Sequence, residues 1–486
     1  MVRGSCWSLT LGLLVACGGE AAPDSAARAG AGGAVSAGAA GASGASGSAG
    51  AAAGATGGTS AAGAAGAGPS SVPLIDTVDC GAKTKPPGTG VAPGGDLKKV
   101  TLTGANALCN DGSPGVLYIR AASSPTSAGQ WVFHFQGGGE CVGSDPACIE
   151  RWCGRQASYD AAKMSSKFSP PGMPGNGILL RDPKNSFGDA NQVFFYYCSS
   201  DNWASRKSDY TLDDTTKPGA KLRLHFRGRS IIEDAVQRLM TTEVVSDDGS
   251  QQLPKLATAS LLLATGSSGG SGAVMANGDW LASLFDPAKT AVRLVLDASL
   301  FPQFDHVTNG KVRDAVRDQF IAQSGWLTST DAHVDQSCAS AHQGADLWQC
   351  DWNPHVRLNH LTTPFFQRAD LGDPNASQSF EAAGASKMEF ASWQRTTSMS
   401  VPDVVASAEE KSSIVRRPGI YSPACGQHVA LTNNDWFFTA TVKDSGGKPL
   451  SFHDALRAWV DGADVVAVDT VPPSLSACAK TNGATD

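Results

Sequence analysis

Leu261, Leu262, Leu263 and Ala264 run directly into Thr-Gly-Ser-Ser-Gly-Gly-Ser-Gly, residues 265–272. A short apolar run that stops at a turn signal reads as a buried strand. Ala273, Val274 and Met275, then Trp280, Leu281, Leu284 and Phe285, supply the apolar face of a helix after the turn. The segment is therefore strand, sharp turn, helix. Glycine is required where backbone comes too close to admit a Cβ. Gly266-x-Ser268-x-Gly270 has the spacing that presents a serine hydroxyl at the end of a strand and the start of a helix, where developing negative charge is favoured. By that spacing Ser268, rather than Ser267 or Ser271, is the nucleophile.

A second strand ends in glycines. In Trp-Val-Phe-His-Phe-Gln-Gly-Gly-Gly-Glu-Cys, residues 131–141, an apolar run meets Gly137, Gly138 and Gly139. Such a loop supplies backbone N–H groups to the oxyanion of acyl transfer. Histidines 306, 333, 342, 355, 360, 428 and 453 all follow Ser268, and the residues alone do not choose a base among them. His453 lies in the first turn of a capped helix and is expected in solvent. Asp370 and Asp373 follow the strand at Pro364–Phe366, and Asp297 follows another; each is a candidate acid.

Further strands are expected at 131–135, 193–197 and 292–296. Ile231, Ile232, Ala235, Val236, Leu239 and Met240 have helical spacing, with Ser230 and Glu233 as a capping box. Ser451 and Asp454 repeat that signal before Ala455, Leu456, Trp459 and Val460. Strands alternating with helices predict an α/β fold, a mainly parallel sheet covered by helices on both faces. With the strand–turn–helix serine, that makes an α/β-hydrolase-like architecture.

The N-terminus carries other signals. Residues 1–16 read as a signal peptide: Arg3 precedes an apolar stretch too short to span a bilayer. Leu14-Val15-Ala16-Cys17 resembles a bacterial lipobox, which makes Cys17 the lipidated first residue. Residues 17–72 are mostly Gly, Ala and Ser, too poor in bulky apolar groups to fold, and read as a flexible tether. Residues 73–486 remain as one catalytic domain. This predicts an exported protein, lipid-anchored at the bacterial cell envelope, at the outer membrane or the cell surface. A formal charge of −7 and the lack of a basic run argue against nucleic acid.

Ten cysteines lie beyond Cys17, an even number that suggests disulfides in an exported chain. No CxxC pair occurs, and the loosely spaced Cys148 and Cys153 have no paired histidines nearby. No metal and no cofactor are expected.

These residues together resemble the pectin acetylesterase and Notum family of carboxylesterases. The likeness spans roughly residues 96–465 and rests on blocks in that family's order: LCNDGSPGVLYIR, FHFQGGGEC, YYCSSDNW, LHFRGRSII, TGSSGG, LDASLF, SPACGQHV and SFHDALRAW. The resemblance implies Ser268 as nucleophile, His428 as base and Asp373 as acid, with Asp370 as the alternative. It implies oxyanion donors at Gly138, Gly139 and Gly269, and disulfides Cys109–Cys198, Cys141–Cys148 and Cys338–Cys350. Cys80, Cys153, Cys425 and Cys478 are left with three possible pairings. Gly269 stands where the family usually has Ala, and Glu140 where the plant members have Trp. The substrate so implied is an acylated polysaccharide such as pectin, losing acetyl groups, or a small ester. A lipid-acyl protein esterase is the first alternative, and an inactive surface-tethered polysaccharide-binding protein the second.

Overall fold

The apolar runs do form strands. A computed structural model of the chain describes residues 72–81, 95–141, 145–154, 161–298, 307–386, 388–389, 418–443 and 447–469. The signal peptide, Cys17, the tether and Cys478 lie outside the described residues.

Ten strands make one sheet. In chain order they are β1 (Leu97–Thr101), β2 (Val116–Arg120), β3 (Gln130–Phe135), β4 (Gly172–Met173), β5 (Asn191–Phe195), β6 (Leu261–Ser267), β7 (Ala291–Asp297), β8 (Phe365–Arg368), β9 (Gly419–Ser422) and β10 (Val466–Val468). The spatial order is β10-β9-β8-β7-β6-β3-β5-β2-β1-β4. Every neighbouring pair from β10 across to β5 is parallel. The β5–β2, β2–β1 and β1–β4 pairs are antiparallel. The fold is thus α/β-hydrolase-like, with a mainly parallel sheet. Parallel strands are covered on both faces, which is why β6 is buried at every position after Leu261.

β3 and β6 are neighbours, with Phe135 opposite Gly266. From β3 the chain moves out to β5, whereas from β6 it proceeds the other way through β7 to β10. The strand order reverses between them, and at such a point the loops leaving the carboxyl ends diverge and open a crevice. The glycine loop leaves β3 there and Ser268 leaves β6.

Aromatic side chains fill the sheet below this point. Phe135 stacks on Phe195 at 4.2 Å between ring centroids, and Trp203 meets both edge-on. The indole N–H of Trp203 donates to the Gln136 carbonyl at 2.9 Å, tying the core to the start of the glycine loop.

Two details correct the sequence expectations, and one settles a pairing left open. Helix α1 spans Gly228–Thr241, so Ser230 lies inside it and does not cap it. The cap comes from another part of the chain: the Gly228 N–H donates to Asp201 Oδ2 at 2.9 Å. His453 is buried, not solvated; it packs against Phe187, Phe437 and Phe438, and its Nε2 accepts the Ser186 N–H at 3.1 Å. Among the four cysteines left unassigned, Cys80 pairs with Cys153. The Ser451 cap is present, its hydroxyl accepting the Asp454 N–H at 3.1 Å.

Candidate active site

The turn after β6 is built from main chain in contact with main chain. A Cβ on Gly266 would stand 2.0 Å from the Gly270 carbonyl oxygen, and one on Gly270 would stand 1.9 Å from that of Phe135. No side chain fits at either place. Between them Ser268 has φ 56° and ψ −126°, a conformation that L-residues rarely adopt. Holding it costs on the order of 1–3 kcal/mol. Helix α2, Gly269–Ser283, starts at once, and its first N–H groups have no partners within the helix.

The other two serines of the turn have structural partners. Ser267 donates to Asp297 Oδ2 at 2.8 Å, and Ser271 donates to the Ser268 carbonyl at 2.8 Å.

Ser268 Oγ lies 2.9 Å from His428 Nε2. His428 Nδ1 lies 2.8 Å from Asp373 Oδ2 and 3.0 Å from Oδ1. Asp373 also accepts the Asn375 N–H at 2.9 Å, at the start of the helix Pro374–Ala382. Burial alone would lower the His428 pKa; the charge and hydrogen bond of Asp373 outweigh it and hold the pKa above the ordinary 6.5. The Asn375 side-chain amide comes within 2.8 Å of the same Nε2 and shares the approach to it with Ser268.

Asp370, the alternative acid, is placed elsewhere. It pairs with Arg368 and accepts the Gln427 N–H at 2.6 Å. Asp297 joins it from the other side, 3.0 Å from the Arg368 guanidinium. Asp297 Oδ2 accepts the N–H groups of Ala430 and Leu431 at 3.0 and 2.9 Å. Arg368 itself donates to the carbonyls of His428 and Gln427 at 2.8 and 3.2 Å. Residues 427–431 are therefore fastened to the ends of β7 and β8. Sequence reading did not identify Arg368 or Asn375.

The glycine loop is oriented by two cations. Lys163 Nζ is 3.4 Å from the Gly137 carbonyl, and Arg151 donates to that of Gly138 at 2.8 Å. In a trans peptide the N–H points opposite to the C=O. The N–H groups of Gly138 and Gly139 are thereby turned away from Lys163 and Arg151. The loop abuts the elbow: a Cβ on Gly137 would lie 3.0 Å from Ser268 Cβ, and one on Gly269 would lie 3.9 Å from Gly139 N. That Gly269 Cβ would also stand 2.4 Å from Asn202 Oδ1. Asn202 is fixed by its donation to Glu140 Oε2 at 2.6 Å. Two departures from the family pattern, Gly269 and Glu140, are thus one local arrangement.

Disulfides support these loops. Cys141–Cys148 follows the glycine loop, Cys109–Cys198 ties the region after β5 to the turn before β2, and Cys338–Cys350 closes a short loop beyond β7. Cys425, three residues before His428, is also disulfide-bonded.

A hydroxyl, an imidazole and a carboxylate in hydrogen-bonded series, at the switch point of an α/β-hydrolase-like sheet, suit acyl transfer, and the protein is a carboxylic ester hydrolase. Residues 95–479 match the model of the pectinacetylesterase family, and the chain belongs to that family. It is 31% identical over 406 residues to the mouse palmitoleoyl-protein carboxylesterase NOTUM, covering 78% of this chain and 70% of that one. It is 26% identical over 372 residues to the Xenopus laevis palmitoleoyl-protein carboxylesterase notum2, covering 75% and 67%. The crystal structure of the Drosophila Wnt deacylase Notum shares the fold, with a TM-score of 0.56 at 21% identity, covering 77% of this chain and 97% of that one.

Proposed function

We propose that this esterase removes acetyl groups from O-acylated polysaccharide such as pectin, through a Ser268–His428–Asp373 triad. The carrying observation is the pair of contacts made by one imidazole, 2.9 Å to Ser268 Oγ and 2.8 Å to Asp373. Ser268 Oγ attacks the ester carbonyl carbon as its proton passes to His428 Nε2. The oxyanion is held by the N–H groups of Gly138, Gly139 and Gly269. The C–O bond to the alcohol breaks, and the alcohol leaves with the proton from Nε2. Water then attacks the acyl carbon, giving its proton to His428. The acid departs, and Ser268 recovers its proton. Asp373 keeps Nδ1 protonated and stabilises the imidazolium.

The family match favours an acetyl ester. The names of the curated relatives support a second reading, removal of a long acyl chain from a protein. The two are separated by esters of graded length. In the acetyl reading 4-nitrophenyl acetate is cleaved with higher kcat/KM than the octanoate, and acetylated pectin releases acetate. A kcat/KM that climbs through eight carbons, with no acetate released from polysaccharide, would overturn it. Fluorophosphonate labelling of Ser268, lost in Ser268→Ala, tests the nucleophile; labelling elsewhere would reassign it. A protein that no such probe labels would be the inactive binding protein.

The same proposal places the enzyme outside the cytoplasm, anchored through a lipid on Cys17. Among the described residues no helix is long and apolar enough to cross a membrane. Mass spectrometry of the native protein should find acylated Cys17 as the first residue; an unmodified terminus elsewhere would remove the anchor.

A further inference from the structure

Three histidines meet away from the proposed triad. Helix α3 spans Gln336–Ala341 and ends at His342. Helix α4 spans Asn353–Asn359, carries His355 on its body and ends at His360. The Nε2 atom of His355 lies 2.9 Å from that of His342 and 3.2 Å from that of His360. All three rings are half-buried. Cys338 Sγ belongs to the same cluster, but it is bonded to Cys350 and so offers no thiolate.

A ring nitrogen holds either one proton or one lone pair in its plane. His355 Nε2 can therefore make only one linear N–H···N bond, although two nitrogens approach it. A cation between the rings would satisfy three lone pairs together. Tetrahedral Zn–N bonds of about 2.0–2.1 Å place the ligand nitrogens about 3.3–3.4 Å apart. The observed spacings reach that by opening a few tenths of an ångström.

The outer partners bear on which nitrogen carries the proton. The Ser337 hydroxyl donates to Asp335 Oδ1 at 2.7 Å, so toward His360 Nδ1, 3.0 Å away, its oxygen accepts. A neutral His360 then carries its proton on Nδ1 and turns the Nε2 lone pair inward. Asp335 is itself fixed by accepting the Cys338 N–H at 3.0 Å. The Asn359 side-chain amide lies 2.9 Å from His355 Nδ1. The amide nitrogen faces the ring and donates, so a neutral His355 carries its proton on Nε2; His355 meets a cation once that proton moves to Nδ1 and the Asn359 amide turns its oxygen to receive it. The Nδ1–H of His360 held by Ser337, with its Nε2 lone pair turned inward, is the arrangement that orients histidine ligands of metals.

We propose that His342, His355 and His360 bind one divalent transition-metal ion of the zinc class through their Nε2 atoms. An all-imidazole set suits Zn²⁺, Co²⁺, Ni²⁺ or Cu²⁺ rather than Mg²⁺ or Ca²⁺. Three protein ligands leave a fourth position for water or an anion. The ion would join the end of α3 to α4 and so tie down the segment that the Cys338–Cys350 disulfide already closes. No residue of this site belongs to the proposed triad.

The test uses the whole chain, freed of metal with a chelator and titrated with Co²⁺. The expected result is one equivalent bound, seen as visible d–d absorption, abolished by Zn²⁺ and unchanged in Ser268→Ala. Each of His342→Ala, His355→Ala and His360→Ala should weaken binding at least 100-fold, and Ser337→Ala roughly 10-fold. Should an alanine variant not fold, Zn²⁺ protection of these three histidines from diethylpyrocarbonate, read by peptide mass spectrometry in the unmutated protein, decides the matter. Saturable binding that survives the histidine changes, the absence of a one-equivalent endpoint, or labelling of the three rings that Zn²⁺ does not slow would overturn the site.

Discussion

The guanidinium of Arg368 donates a 2.8 Å hydrogen bond to the backbone carbonyl of His428. The cation therefore holds the loop that presents the imidazole without touching the imidazole ring. Asp297 and Asp370 flank the same guanidinium, and all three side chains are buried. Arg368→Ala would leave two buried carboxylates without their cation. It should cost about 3–5 kcal/mol of stability and lower kcat more than it raises KM. Chemical denaturation and steady-state kinetics with 4-nitrophenyl acetate check both parts.

Asp373→Asn and Asp370→Asn should separate orientation from support. The first removes the group that fixes the imidazole tautomer and should lower kcat about 10⁴-fold with the fold intact. The second weakens the Arg368 network and should show mainly as a lower melting temperature. If Asp370→Asn has the larger effect on kcat, the acid is misassigned.

The acid limb of the pH profile reports on His428. In the proposed mechanism only the neutral imidazole accepts the Ser268 proton, so kcat/KM should fall as pH drops through the His428 pKa. That pKa is raised, so the midpoint should lie above 6.5. Asp373→Asn removes the raising influence and leaves burial, which lowers it. Its residual activity should therefore persist to more acid pH than that of the unmutated protein.

Two neighbouring glycines should respond differently to alanine. At Gly270 the new methyl meets the Phe135 carbonyl at 1.9 Å, and main chain must move, so Gly270→Ala should not give a folded protein. At Gly269 the obstacle is the Asn202 side chain at 2.4 Å. Gly269→Ala should fold, with activity reduced roughly 10-fold, less than the 10²–10³-fold of removing one such donor outright, because the proposed donor is displaced and not lost. Gly269→Ala combined with Asn202→Ala should recover part of it.

Disulfide removal should scale with loop length. The Cys109–Cys198 and Cys338–Cys350 pairs are separated by 89 and 12 residues. The chain-entropy relation assigns them about 4.6 and about 2.8 kcal/mol. Paired Cys→Ser variants, compared by denaturant unfolding, should keep that order.

What could be read in the sequence was local. Strand, turn and helix around Ser268 are contiguous, and their glycines report a crowding that is also local. The Gln130–Phe135 strand was visible for the same reason. The partners that fasten the histidine loop were not visible, because Arg368 becomes informative only when β7 and β8 lie side by side. The start of α1 was misread at Ser230 because its cap, Asp201, comes from a distant segment. His453 was misread because helix position says nothing of the three phenylalanines that cover it. His342, His355 and His360 follow no familiar ligand spacing; the fold of α3 and α4 brings their rings to one point.

The adjacency of β3 and β6 also has a consequence in time. The Gln130–Phe135 and Leu261–Ser267 strands must find each other across more than a hundred residues, and His428 is recruited from far beyond both. Pairings of such long range form late and slowly. In the proposed mechanism a nascent chain that stops short of residue 428 carries Ser268 but nothing to take its proton. On that mechanism hydrolytic power is withheld until residue 428 is in place and docked, so ester cleavage by this chain reports assembly of the sheet and not the presence of any one of its parts.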